Sequence, residues 1–223
     1  MFLHLATFWV LIPLFLGLAI LKRKACLTFA WLLLLGSLLF SIAIIVVPIY
    51  WATNYPVFHT YTVVEVILIA LLYQELLHSW VLRRIVRIVL VMFLLYKIAD
   101  ILWITTLSSP DYTAINVESF LVVILAILYF RQLFKERTTR CITAHPAFWI
   151  NNANLFYFAG ILVFSMSYLY GCGKDILWSR YFIHDYLLLL RNLLFTLAFW
   201  FAYRRYSSHP VFRVSDSSES PDL

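Results

Sequence analysis

Glu65, Lys97, Asp100, Glu118, His184, Asp185 and Arg191 each interrupt a long run of apolar residues. A charge in such a setting is costly. Where it persists it marks a ligand, proton or ion site, or it ties helices together as an ion pair. Spacing narrows the choice. Lys97 and Asp100 are i, i+3 and meet on one helical face. His184 and Arg191 are seven apart and share a face, as do Asp185 and Asn192. If Glu65, Asp100, Glu118 and Asp185 look into one interior with Lys97 and Arg191, four carboxylates meet two cations. At least one carboxylate must then be protonated, bound to a further cation or well hydrated. On this reading Glu65 is the group that exchanges a proton or touches a ligand, and Arg191 is a structural counter-ion to Asp185 or Glu118.

A second polar group, Asn151 and Asn154 continuing on one face to Tyr157, follows Trp149. Side-chain amides hydrogen-bond across membrane helices for about 1 kcal/mol each, so this group reads as helix glue or as an inner gate. His4, His59 and His184 lie near carboxylates in sequence-predicted depth, but no pair has the short helical spacing of a metalloenzyme motif such as HExxH, and no metal is expected. The five glycines form no phosphate-binding loop, and there is no GxSxG or Cys/His zinc signature. No catalytic residue and no cofactor is assigned. An intramembrane enzyme with Glu65 or Asp185 as acid or base would lack a nucleophile or metal to work with. Cys26, Cys141 and Cys172 are too widely spaced for a disulfide framework or a CxxC site and read as reduced thiols.

The elements that must hold these groups follow from composition. Of 223 residues 64% are hydrophobic and 13% charged, and the mean hydropathy is +0.89. A soluble domain is about half apolar and about a quarter charged. The chain is therefore expected in a lipid bilayer, with its surplus of 17 basic over 11 acidic residues serving as loop charge rather than as a nucleic-acid surface. Apolar runs delimit spans at 2–21, 27–51, 57–78, 86–107, 117–134, 148–170 and 182–203, each near the ~20 residues a bilayer requires. The first carries its basic residues after the apolar run, the reverse of a secretory signal, and reads as a retained span. Residues 1–206 thus form a seven-helix bundle, and 207–223, rich in Ser, Pro and acidic residues, a disordered cytoplasmic tail.

Orientation follows from the basic clusters. Lys22-Arg23-Lys24, Arg83/Arg84/Arg87, Arg131/Lys135/Arg137/Arg140 and Arg204/Arg205/Arg213 all fall on one side if the N-terminus is outside and the C-terminus cytoplasmic. Tyr50, Trp51, Tyr55, Trp103, Tyr112, Trp178 and Tyr181 then lie at the outer interface, and Trp80, Trp149, Trp200 and Tyr203 at the inner one. Glu65 falls about two turns below the outer face and Lys97 near the midplane, so most buried charge lies in the outer half.

The stretch from Asn54-Tyr55-Pro56 through Glu65, with Val117-Glu118-Ser119-Phe120 and His145-Pro146-Ala147-Phe148-Trp149-Ile150, resembles a pattern in small, uncharacterised seven-span proteins of bacterial inner membranes, some similar to the membrane input regions of sensor histidine kinases. The resemblance implies a sensing or partner-regulating component of the inner membrane without a kinase domain of its own. The expected function is a signal- or ligand-sensing module acting through a separate membrane or cytoplasmic protein. The alternative is a small secondary transporter or proton-coupled carrier, which would need polar residues continuing along one route to the inner face.

Overall fold

The computed structural model describes residues 9–20, 25–50, 53–104, 112–135, 142–169 and 176–207. Among them are seven α-helices and no strand: α1 (Leu11–Leu18), α2 (Ala25–Tyr50), α3 (Tyr55–Leu76), α4 (Trp80–Ala99), α5 (Tyr112–Lys135), α6 (Pro146–Leu169) and α7 (Ile176–Ser207). A π-turn, Asp100–Ile104, continues α4, and a 3-10 turn, Ile142–Ala144, precedes α6. Five helical segments are long and apolar enough to cross a bilayer, consistent with a multi-pass membrane protein: α2, α3, α5, Pro146–Met166 of α6 and Ile183–Arg205 of α7. The other two differ for separate reasons. The described part of α1 is eight residues long, and α4 carries Arg83, Arg84, Arg87 and Lys97 within its 20 residues.

Most of these helices run past the apolar stretches that announce them. α3 opens with Pro56 in its first turn, where a missing N–H costs nothing, and α7 begins at Ile176, so that His184 and Asp185 lie inside the helix rather than at its start. Hydropathy marks the part of a helix that meets hydrocarbon; backbone hydrogen bonding carries the helix further. Lys22-Arg23-Lys24, Trp51, Arg137, Arg140, Cys141, Cys172 and the tail from 208 lie outside the described residues, as does His4.

α2 packs on α3, α5 on α6 and α6 on α7; α1 touches both α2 and α7, while α3 also meets α4 and α5. α3 is therefore the junction of the bundle. Where helices approach, small residues face inward: Ala30, Ala126, Ala153, Ala198 and Ala202 are wholly buried. This is how helices pack in lipid, where close van der Waals contact replaces the hydrophobic effect. At Gly160 a Cβ would run into the Leu187 side chain, so α6 and α7 are in backbone-close contact there. Large apolar residues such as Phe15, Ile49, Met92, Leu102 and Val163 point outward, as a lipid-facing surface requires.

Pro48 lies inside α2 and has no N–H to give the carbonyl of Ile44, four residues back. Asn54, just before α3, supplies the missing donor: its Nδ2 donates to that carbonyl at 3.2 Å. A backbone oxygen in hydrocarbon needs such a partner. At the other end of α3, Gln132 of α5 donates to the Leu76 carbonyl at 3.4 Å and accepts from the His78 N–H at 2.9 Å, capping the helix from a neighbour.

Candidate functional site

α3 presents His59, Thr62, Glu65, Ile69 and Tyr73 to the interior, spaced three or four apart so that they form one buried stripe. The other helices set their charges against it. Lys97 lies near the C-terminal end of α4, a peripheral helix whose buried face also holds Val86 and Phe93. Its Nζ is 2.9 Å from His59 Nδ1. With Lys97 as an ammonium, which has only donors, Nδ1 accepts and the imidazole carries its proton on Nε2. Asp100, first residue of the π-turn, forms an ion pair with Lys97 at 3.9 Å, with both side chains 2% exposed. π-turns inside helices recur at functional sites.

Arg191 of α7 is also 2% exposed, and its Nη1 donates to Glu65 Oε1 at 3.0 Å. The ring of Tyr157 lies under the guanidinium, 4.4 Å from its central carbon, with Phe158 at 5.4 Å and Phe195 at 5.9 Å. Cation–π contact in a desolvated setting adds about 2 kcal/mol to holding such a group. Arg191 is thus the counter-ion of Glu65, not of Asp185 or Glu118. Sequence spacing along α7 could not disclose this, because the partner is set by how α7 is rotated against α3.

Glu118, buried on α5, lies within electrostatic reach of Glu65, Arg191 and Lys97. Its Oε1 has no hydrogen-bond partner among the described residues. The Nε and Nη2 atoms of Arg191 are buried without an acceptor as well. Tyr61, half-buried and stacked on Phe40 at 4.0 Å, is in reach of Glu65, Glu118 and Arg191. The interior thus gathers three carboxylates, Glu65, Asp100 and Glu118, against two cations, Lys97 and Arg191. With every group ionised, the carboxylates exceed the cations by one.

Asp185 stands apart from this group. Its side chain is 22% exposed and it faces His184, 3.7 Å away. His184 is joined to the cluster indirectly, through Nε2 to the Tyr157 hydroxyl at 3.3 Å. The asparagines form their own knot: Tyr73 donates to Asn151 Oδ1 at 2.8 Å, and Asn151 Nδ2 donates to the Ala126 carbonyl at 3.2 Å, joining α3, α6 and α5. Asn154 is wholly buried one turn further. Tyr157, grouped with these asparagines by spacing, belongs instead to the Arg191 cluster. Tyr73 is a contributor that the sequence reading passes over, and His59 is weighed there only as a metal ligand; their place on the Glu65 face of α3 is the signal that joins both to the site. No group of three metal-ligating side chains gathers among the described residues.

No protein-family model, curated protein or solved structure matches this chain.

Proposed function

We propose that the protein is a seven-span bundle of a bacterial inner membrane, N-terminus outside and C-terminus cytoplasmic, that binds a cation, a proton or the basic group of a ligand at its buried charge cluster and acts through a separate membrane or cytoplasmic protein. The observation that carries the binding is the unmatched carboxylate. Glu65 is held by Arg191 and Asp100 pairs with Lys97, leaving Glu118 as the carboxylate beyond the two cations. A bound positive charge brings the cluster to neutrality, and a buried site strongly favours neutrality. Glu118 thus replaces Glu65 as the exchanging group. The sensing role is what the resemblance to sensor-kinase input regions implies.

The seven-span count draws support from α4 with its π-turn, a continuous helical run from Trp80 to Ile104 whose three arginines sit in its first two turns. Its exposed face carries Ile88, Met92, Leu95 and Leu102. Long basic side chains at a helix end reach the headgroups while the rest remains in hydrocarbon. Labelling of introduced cysteines at positions 137 and 213 from the cytoplasmic side only is the expected result; labelling from outside reverses the orientation.

The binding is tested by thermal unfolding of the purified protein in nanodiscs with n-propylamine or guanidinium, and across pH. Stabilisation of wild type that disappears in Glu118→Gln is expected. An equal response in Glu118→Gln removes the site. One observation favours the carrier as a second reading: Tyr73, within the asparagine knot, lies in electrostatic reach of Arg191, so the two polar groups adjoin inside one bundle. Proton flux into proteoliposomes distinguishes the two, since a sensor gives none.

A further inference from the structure

The guanidinium of Arg191 offers two kinds of edge. Nη1 is used by Glu65. Nε–H and the adjacent Nη2–H point the same way from another edge, the fork that meets a carboxylate with two parallel hydrogen bonds. In Arg191 both atoms of that fork are buried and without an acceptor among the described residues. Leaving charged donors dry is costly. The complementary deficiency lies within electrostatic reach: Glu118, 3% exposed, has an unpartnered Oε1. A bare anion could satisfy the fork, but it would enter a cluster that already has one carboxylate too many. A bare cation could satisfy Glu118 and leave the fork dry.

We infer that the cluster recognises a small zwitterion of the amino-acid class, its carboxylate on the Nε–Nη2 edge of Arg191 and its ammonium on Oε1 of Glu118. A ligand of this kind meets both unpartnered groups, and its ammonium supplies the positive charge that offsets Glu118. The inference rests on the reading of the cluster as a ligand site and names the ligand's chemistry. Arg191 on α7 and Glu118 on α5 are buried, so binding requires helices of the bundle to part. The ligand then acts through helix displacement, which a partner protein can read.

The test uses the full chain in nanodiscs and follows thermal unfolding with each proteinogenic amino acid, with the amine each leaves on loss of its carboxylate, and with the acid each leaves on loss of its amino group, at matched concentration. At least one amino acid should stabilise wild type, with apparent affinity at least about tenfold above that of its amine and of its acid, as expected for a bidentate charged pair. Arg191→Lys keeps a cation for Glu65 and removes the fork; it should lose this tenfold advantage while retaining the response to the amine. Glu118→Gln should lose both. If amines stabilise through Glu118 and no amino acid exceeds them, the zwitterion is wrong and the cation site stands. If neither stabilises, both fall and the cluster is a structural ion-pair network only. An amino-acid response undiminished in Arg191→Lys overturns the assignment of the carboxylate to Arg191. Should Arg191→Lys fail to fold, the wild-type comparison of amino acid with amine decides.

Discussion

Arg191 and Glu65 lie 126 positions apart in the chain and meet in the bundle interior at 3.0 Å, Nη1 donating to Oε1. The pair ties α7 to α3, two helices whose main packing partners are α6 and α2, and fastens a deeply buried cation to the face of α3 that also carries His59. Its removal has a cost of a known kind: an ion pair broken at one partner leaves the other charge buried alone.

Glu65→Gln preserves shape and removes the countercharge of Arg191, so it should destabilise the fold by about 3–5 kcal/mol. The sequence reading gives Glu65 the ligand or proton role and the structural counter-ion role to Arg191 with another carboxylate; the pair gives Glu65 a structural part as well. Glu65→Leu combined with Arg191→Met should recover most of the loss, because no lone charge remains. Unfolding by sodium dodecyl sulfate in mixed micelles measures both. A Glu65→Gln curve that overlays wild type would show that the pair contributes nothing.

Lys97 answers to two groups, His59 at 2.9 Å and Asp100 at 3.9 Å. Asp100→Asn alone should therefore cost more than Asp100→Asn with Lys97→Met, with a coupling of about 0.5–3 kcal/mol. His59→Phe should weaken wild type and be nearly silent in a Lys97→Met background. Strict additivity in either cycle argues against the contact concerned.

The asparagine knot should depend on one hydroxyl. Tyr73→Phe removes the donor to Asn151 Oδ1 and leaves that oxygen buried and unmatched, at about 1–3 kcal/mol. Tyr73→Phe combined with Asn151→Leu removes both ends of the bond and should be milder than the sum of the two single changes. The same micelle titration distinguishes these outcomes.

Asn54 serves a carbonyl orphaned by Pro48, so their substitutions are coupled. Asn54→Ala should cost about 1–3 kcal/mol in wild type, where Ile44 loses its donor. In a Pro48→Ala background the backbone N–H of residue 48 becomes available to Ile44, and Asn54→Ala should have little further effect. An equal penalty in both backgrounds would mean that Asn54 acts elsewhere, for instance only as the residue preceding α3.

The sequence by itself determines the all-helical membrane class and the approximate place of each helix, because insertion into hydrocarbon is decided locally, by about 20 consecutive side chains and the backbone hydrogen bonds within them. It also determines one charge pair, Lys97 with Asp100, since i, i+3 neighbours meet by the geometry of a single helix. Everything between helices was decided by the tertiary structure. Arg191 chose Glu65 over Asp185, Tyr157 left the asparagines for the guanidinium, and His59 joined Lys97, all through the rotation of helices about their axes. In a lipid-facing helix apolar side chains point both inward and outward: on α3, Leu72 is buried while Val64 is exposed. Hydropathy then carries little signal of which face is inside. Only packing fixes that face, and with it which charge is matched and which, Glu118, is left over.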